Sequence, residues 1–253
     1  MRKKLFVVGS GIKTLGHFTK EFITCATQSD IVLFLNNDHI TKEWYEKYCK
    51  KTYDLNEIYQ KDNTVHRKDI YLAIADYVIK SFDEYNSVCF SLYGHPFFCA
   101  QPALYAIDEI ARKREDIEIH SFAAVSALDC LWNDLRVNPA ENGMQMYEAS
   151  HMIYEEIPLI SKVDLVILQA GFIDIQTIHT GEQKANTDKL KHHLLKYYHE
   201  DSQIIIYQAA QYPSQAPVID KIKLNELESN KVTTLSTIYI AGNKKKQGVT
   251  SEY

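Results

Sequence analysis

Short uninterrupted apolar runs alternate with stretches of helical spacing along this chain, and that alternation restricts its fold more than any other feature. Leu5–Val8 (LFVV) stops at Gly9 and Gly11 and is followed through Phe18, Phe22 and Ile23 by helical spacing, so it reads as strand, glycine turn, helix. Ile31–Leu35 (IVLFL) leads into the helical TKEWYEKYCKK, Val88–Tyr93 (VCFSLY) follows a long helical stretch from Arg67 to Phe82, and Ile117–Phe122 (IEIHSF) is a fourth run. Continuous β-branched runs alternating with helices imply a mostly parallel sheet covered on both faces. The second half continues with Val163–Gly171, Gln203–Gln208 and Thr233–Gly242, with a helical segment between Lys184 and His199. The expectation is an α/β protein in two α/β halves, 1–124 and 125–253, joined near Ala124–Ser126. A length of 253 residues suits one large or two small domains.

Composition narrows the function classes. With 45% hydrophobic and 24% charged residues, neither a disordered chain nor a disulfide scaffold fits. A net charge of −5 gives no general attraction to phosphate backbones or anionic membranes, so neither nucleic acid nor membrane is the expected partner. The basic start MRKKLFVVGSG lacks the apolar length of a secretion signal, and nowhere is there the run of about 18 apolar residues that a membrane helix needs. The five cysteines are an odd number without CxxC spacing, which reads as a reduced, cytoplasmic protein with no zinc site. His192 and His193 are adjacent on a helix and point in different directions, so they read as a solvated face, and no metal is expected. Trp44 and Trp132 read as core, and Lys244–Lys246 as a solvated tail.

Two loops carry chemistry. In VVGSGIKTLG the glycine after Gly9 and Gly11 is Gly16, which breaks the GxGxxG dinucleotide fingerprint. The turn reads equally as a plain tight turn or as a ligand-facing one. In SLYGHPFFCAQPAL a buried strand ends in Tyr93, Gly94, His95 and Pro96 before a helix begins. Ligands of open parallel sheets sit beyond the carboxyl ends of strands, Gly allows close approach and Pro fixes a turn, so this reads as a binding loop. Taken singly, His95 reads as a structural hydrogen-bonding residue before it reads as a catalyst.

Together VVGSGI, the YGHP loop, AAVSALDCLWNDL, YEAS at Tyr147–Ser150, LQAG and STIYI resemble the tetrapyrrole-methylase superfamily, and within it the borosin peptide α-N-methyltransferases, from about Leu5 to Ala241. The resemblance implies two α/β lobes of tetrapyrrole-methylase type with the cofactor cleft between them. It implies use of S-adenosyl-L-methionine, with S-adenosyl-L-homocysteine as product, to methylate backbone amides of a ribosomal peptide. The family's Arg, followed four residues later by Tyr, is matched by Arg67 and Tyr71. The Tyr opening the YGHP loop is matched by Tyr93, and a further Tyr before the Arg by Tyr59. Cofactor contacts are implied from Tyr93, His95, Phe98, Gln101, Ser126, Ala127, Gln169, Ala209, Ser236 and Thr237, with Tyr207 beside them. The sequence departs from the family at Phe97, where Gly is usual, and at Ala123–Ser126 (AAVS), where the family has PGxS. A homodimer is implied, or a heterotetramer with two precursor chains. Fused members continue past the methylase with their own core peptide, whereas here only residues 242–253 follow the last family-like strand, so the precursor peptide is expected as a separate chain.

The chemistry suits those residue types. Resonance with the carbonyl makes an amide nitrogen a poor nucleophile. Methylation therefore needs the N–H removed and the imidate oxygen stabilised. A Tyr hydroxyl has a reference pKa of about 10, and an adjacent cation favours its charged form. The i, i+4 spacing puts Arg67 and Tyr71 on one helical face. Tyr71, tuned by Arg67, is expected to help deprotonate the amide, while Tyr93 and Tyr59 hydrogen-bond the imidate oxygen. The bland reading makes Arg67 and Tyr71 a surface pair and Tyr93 a strand-end aromatic. Two rival functions are a methylase of a tetrapyrrole or other small molecule, which would need an open cleft, and a catalytically silent SAM- or peptide-binding homologue, which Phe97 makes conceivable.

Overall fold

The computed structural model describes residues 2–60, 65–175 and 185–243, with the backbone alone for Tyr59 and Gln60. Lys184 and Lys244–Lys246 lie outside the described residues. The chain divides into two compact units. One contains the chain up to Cys130 together with Ala210–Ala216; the other contains Leu131–Ile175, 185–209 and 217–243.

In the first unit the elements run β1 (Lys3–Gly9), α1 (Lys20–Gln28), β2 (Ile31–Leu35), α2 (His39–Tyr48), β3 (Thr52–Asp54), α3 (Asn56–Gln60), α4 (Arg67–Ser81), β4 (Ser87–Leu92), α5 (Gln101–Lys113) and β5 (Ile117–Ser121). The five strands form one sheet in the order β3-β2-β4-β1-β5, every pair parallel. The unbroken apolar runs follow from burial of both faces. Leu5, Val7, Leu33, Val88 and Phe90 pack with Ile70, Ile74 and Val78 of α4 and Ala103, Ala106 and Ile110 of α5. The alternate residues Val8, Val32, Phe34 and Cys89 pack with Phe22, Ala26 and Tyr45 of α1 and α2. Trp44 is half-buried at the edge of that second cluster, against Phe18 and Phe22.

The helix α6 (Ala127–Leu135) begins in the first unit and ends in the second, which continues with α7 (Pro139–Asn142), β6 (Met144–Glu148), α8 (Ala149–Tyr154), β7 (Asp164–Leu168), α9 (Thr187–Leu195), β8 (Gln203–Gln208), β9 (Val218–Lys223) and β10 (Thr237–Ile240). Its sheet order is β6-β7-β10-β8-β9. Only β6 and β7 are parallel; β10 runs antiparallel to β7 and β8, and β9 antiparallel to β8. The expectation of a mostly parallel arrangement therefore fails in the second half. An apolar run reports burial of both strand faces and carries no information on direction. No α-helix intervenes between β8 and β9 or between β9 and β10, so the chain returns without a crossover that would make neighbours parallel. The core here joins Leu165, Ile167, Ile204, Ile206 and Ile238 with Met152 of α8 and Leu190 and Leu194 of α9.

His193 corrects a second expectation: it is buried, and its Nε2 lies 3.1 Å from the Ile157 carbonyl. Burial, aided by Lys196 and outweighing that hydrogen bond, lowers its pKa, so the ring belongs to the core while His192 is exposed. Trp132 is half-buried.

Candidate active site

Three strand-end loops of the first unit meet at Gly9. A Cβ there would collide with the Gly94 carbonyl oxygen and would stand 2.7 Å from Ala124 Cβ and 3.0 Å from Pro96 Cδ. The glycine turn and the YGHP loop pair through their backbones, Gly11 N–H donating to Gly94 O at 3.2 Å and Gly94 N–H to Gly11 O at 3.1 Å. Both glycines have positive φ, +71° and +72°, which L side chains rarely adopt. A Cβ on Gly94 would meet only Ile12 Cδ1, at 3.4 Å, so the backbone there admits close approach.

Arg67 opens α4 and Tyr71 lies one turn on. Arg67 Nε and Nη2 donate to the Tyr71 hydroxyl at 3.1 and 3.0 Å, and the guanidinium carbon stands 5.9 Å from the ring centroid. The Tyr71 ring lies 6.4 Å from that of Tyr105 on α5, the helix that follows the YGHP loop. Tyr59 lies on α3, and its side chain is outside the described residues.

Tyr93 follows β4 at the carboxyl end of the parallel sheet. Its hydroxyl accepts from Gln211 Nε2 at 3.4 Å. Burial, with smaller contributions from Cys130 and Asp38, pushes its pKa above the usual tyrosine value despite the opposing Gln211 bond, so at neutral pH it is a protonated donor. His95 Nδ1 accepts from the Phe97 N–H at 3.1 Å, and its carbonyl accepts from Phe98 N–H at 3.1 Å, which closes the loop. In the neutral ring this leaves the proton on Nε2. Phe97 is 37% exposed and its ring lies 6.3 Å from that of His95. Cys99 has φ +54°, an uncommon backbone for a non-glycine residue, just before Gln101 starts α5 with no side-chain cap. Ser126 is buried; its N–H and Oγ both donate to Asp129 Oδ2 at 2.7 Å, and its Oγ accepts from Asp129 N–H at 3.3 Å, which caps α6 ahead of Ala127. The Ala124 methyl takes a place against Gly9.

The predicted residues of the second unit converge on one end of its sheet. Gln169 follows β7 in the left-handed conformation, φ 53° and ψ 32°. Gly171, two residues on, lies so close to Thr233 that a Cβ would collide with its carbonyl. Ser236 Oγ accepts from Thr233 N–H at 2.9 Å and from Gln208 Nε2 at 3.1 Å, and Ala209 is the next residue after β8. Thr237 opens β10, opposite Tyr207. The antiparallel β10 thus brings its amino end beside the carboxyl ends of β7 and β8, and it is this topology that assembles LQAG, Gln208–Ala209 and Ser236–Thr237. Tyr207 is buried and donates to Asp134 Oδ2 at 2.7 Å. A cavity of about 320 Å³ lined by Tyr198, Tyr239 and Asn243 among others lies toward the other end of the sheet, away from these residues.

Sequence reasoning missed Asp38, Gln211 and Tyr212. Tyr212 donates to Asp38 Oδ1 at 2.6 Å, and the Gln211 carbonyl accepts from Thr14 N–H at 2.8 Å. Burial raises the Asp38 pKa, but hydrogen bonds from Tyr212, Thr41 and Thr14 outweigh it and hold the carboxyl below the usual range. Among the described residues no three His, Cys, Asp or Glu side chains converge as a metal site would require.

An all-parallel sheet and a mixed sheet, each gathering polar loops at one end, define an α/β protein of the ligand-at-strand-ends type. More narrowly, the chain belongs to the tetrapyrrole methylase family, a family of methyltransferases: the model described as Tetrapyrrole (Corrin/Porphyrin) Methylases matches residues 4–225. It is 30% identical over 244 residues to a methyltransferase/ribosomally synthesized type I borosin cyclic peptide precursor of Coprinopsis marcescibilis, covering 94% of this chain and 61% of that protein. It is 31% identical over 242 residues to a type III borosin precursor of Anomoporia bombycina, covering 94% of this chain and 28% of that one. The chain thus spans less than two thirds of the length of these relatives. Among solved structures it superposes on the methyltransferase CobJ with a TM-score of 0.64 at 11% identity, covering 96% and 95% of the two chains. It also superposes on the uroporphyrin-III C-methyltransferase from Thermus thermophilus complexed with S-adenyl homocysteine, with a TM-score of 0.64 at 12% identity, covering 94% and 97%.

Proposed function

We propose that this chain is an S-adenosylmethionine-dependent methyltransferase that methylates backbone amide nitrogens of a peptide supplied as a separate chain. The observation that carries the reading is the pair of hydrogen bonds from Arg67 to the Tyr71 hydroxyl. Two charge-assisted donors on one phenol oxygen stabilise negative charge that develops there as a proton moves. Such an oxygen can take the amide proton, while the protonated Tyr93 donates to the imidate oxygen that results. Tyr59 is assigned to the same donor role.

S-adenosylmethionine supplies an electrophilic methyl on a sulfonium centre and leaves as S-adenosylhomocysteine. With that methyl donor bound, Tyr71 would hold the proton displaced from the amide nitrogen until solvent takes it, and Tyr93 would keep its hydroxyl on the amide oxygen. The open backbone of Gly94, with Tyr93, His95, Phe98, Gln101, Ser126 and Ala127 in the first unit, and Gln169, Ala209, Ser236 and Thr237 in the second, are the residues we assign to holding it. The Ser126 hydroxyl and N–H are bonded to Asp129, and the Ser236 hydroxyl and N–H to Thr233, so both serines also hold the turns that carry their neighbours. The printed names of the borosin relatives, which join methyltransferase and cyclic peptide precursor, support peptide as the substrate class. We further assign a homodimer, or a heterotetramer with two peptide chains, in the cytoplasm; an odd number of cysteines without CxxC spacing suits a reducing compartment.

The test is transfer of tritiated methyl from S-adenosylmethionine to a synthetic peptide ending in a Val- and Ile-rich segment. Uroporphyrinogen III serves as the alternative acceptor, because the matched family is described by its tetrapyrrole substrates. Label is expected in the peptide, and Arg67→Ala and Tyr93→Phe should each lower the rate by about 100-fold. Wild-type rates in both variants would defeat the mechanism, and label in the tetrapyrrole alone would replace the substrate.

A further inference from the structure

Two consecutive residues, Gln211 and Tyr212, reach three strand-end loops of the first unit: Thr14 after β1, Asp38 after β2 and Tyr93 after β4. The Gln211 side-chain nitrogen can only donate, so the Tyr93 oxygen is the acceptor in their bond and its own O–H is left to point elsewhere. The Gln211 main chain is fixed by Thr14 N–H at 2.8 Å, and its neighbour is fixed by the Tyr212–Asp38 bond at 2.6 Å. We propose that Gln211 is a positioning residue, which donates to Tyr93 and thereby directs the Tyr93 O–H at the oxygen of the amide being methylated. This rests on the amide-methylation reading above. The identity of the side chain matters: a carboxylate at position 211 would accept the Tyr93 proton and remove the donor, although it occupies the same space.

Gln211→Glu and Gln211→Leu test it. Gln211→Glu is expected to lower kcat for methyl transfer to the peptide by about tenfold to a hundredfold with peptide KM little changed, while Gln211→Asn restores part of the rate. A second readout does not need activity. In protein labelled with 3,5-difluorotyrosine, the fluorine resonance of position 93, assigned by its loss in Tyr93→Phe, is titrated with and without Gln211→Leu. Asp38, Cys130 and Gln211 are the groups that face Tyr93, and of these Gln211 alone favours the ionised form. Its removal should therefore move the midpoint upward. An unmoved midpoint, or a Gln211→Glu enzyme with wild-type kcat, overturns the proposal. A wild-type protein that methylates no peptide while the midpoint still moves overturns the amide reading and leaves the Gln211–Tyr93 bond established.

Discussion

Gly9 and Gly94 touch backbone to backbone: a side chain on the first would collide with the carbonyl oxygen of the second. The ends of β1 and β4 are held at this distance by the paired bonds between Gly11 and Gly94, so neither loop can retreat freely. Gly9 has an ordinary φ, so the objection to a larger residue is space alone. Gly9→Ala is expected to cost about 1–3 kcal/mol in denaturant unfolding, as overpacking does, and to weaken S-adenosylhomocysteine binding measured by calorimetry. A variant as stable as wild type would mean that the two loops are not in contact.

Arg67→Lys keeps a positive charge but loses the fork that donates to the Tyr71 hydroxyl from two nitrogens. Methyl transfer to the peptide is expected to fall by about tenfold or more in kcat, with unfolding stability within about 0.5 kcal/mol of wild type, since the pair is only part-buried. Single-turnover rates with excess enzyme check this, and an unchanged rate would reduce the pair to helix-surface decoration.

Ser236 Oγ is a buried hub that accepts from both Thr233 N–H and Gln208 Nε2. Ser236→Ala leaves both donors without that acceptor and should destabilise the protein by about 1–3 kcal/mol. Because the same turn lies against Gly171, the loss should also weaken S-adenosylhomocysteine binding. Calorimetry on Ser236→Ala and Ser236→Thr separates the lost hydroxyl from added bulk.

The Asp38–Tyr212 bond makes stability depend on pH in a defined sense. The folded Asp38 carboxyl lies below its ordinary value, so its contribution is present above about pH 4 and is lost as pH falls through the folded pKa. Tyr212→Phe should therefore lower unfolding stability slightly at pH 7, and the gap to wild type should close as pH falls below about 4. Urea unfolding at pH 7 and in that acid range measures it; a constant gap would contradict it.

How much of this was legible in the sequence follows from what each signal encodes. β2 (IVLFL) and the centres of β1 and β4 could be read because they are apolar at nearly every position, as burial of both faces requires, whereas β3 (TYD) carries no such run. β6 (MQMYE) and β9 (VIDKIK) are edge strands of mixed polarity, and β9 buries only Ile222, so no run announced them. The Arg67–Tyr71 pair was legible because both residues lie on one helix with i, i+4 spacing. Tyr93 and Gln211 stand 118 positions apart, and Asp38 and Tyr212 stand 174 apart; no local pattern connects residues that only the crossing segment brings together. His193 was misread because adjacency to His192 excludes a ligand pair without saying which of the two faces the core.

The destination of the methyl group distinguishes a backbone amide from every other acceptor. Tandem mass spectrometry of the synthetic peptide after incubation with the protein and S-adenosylmethionine locates each added methyl. Fragment ions should place every one on a backbone nitrogen, with the gain abolished in Tyr71→Phe. A peptide without mass gain beside a methylated tetrapyrrole, or methyl groups confined to side chains or a terminus, would contradict the amide reading.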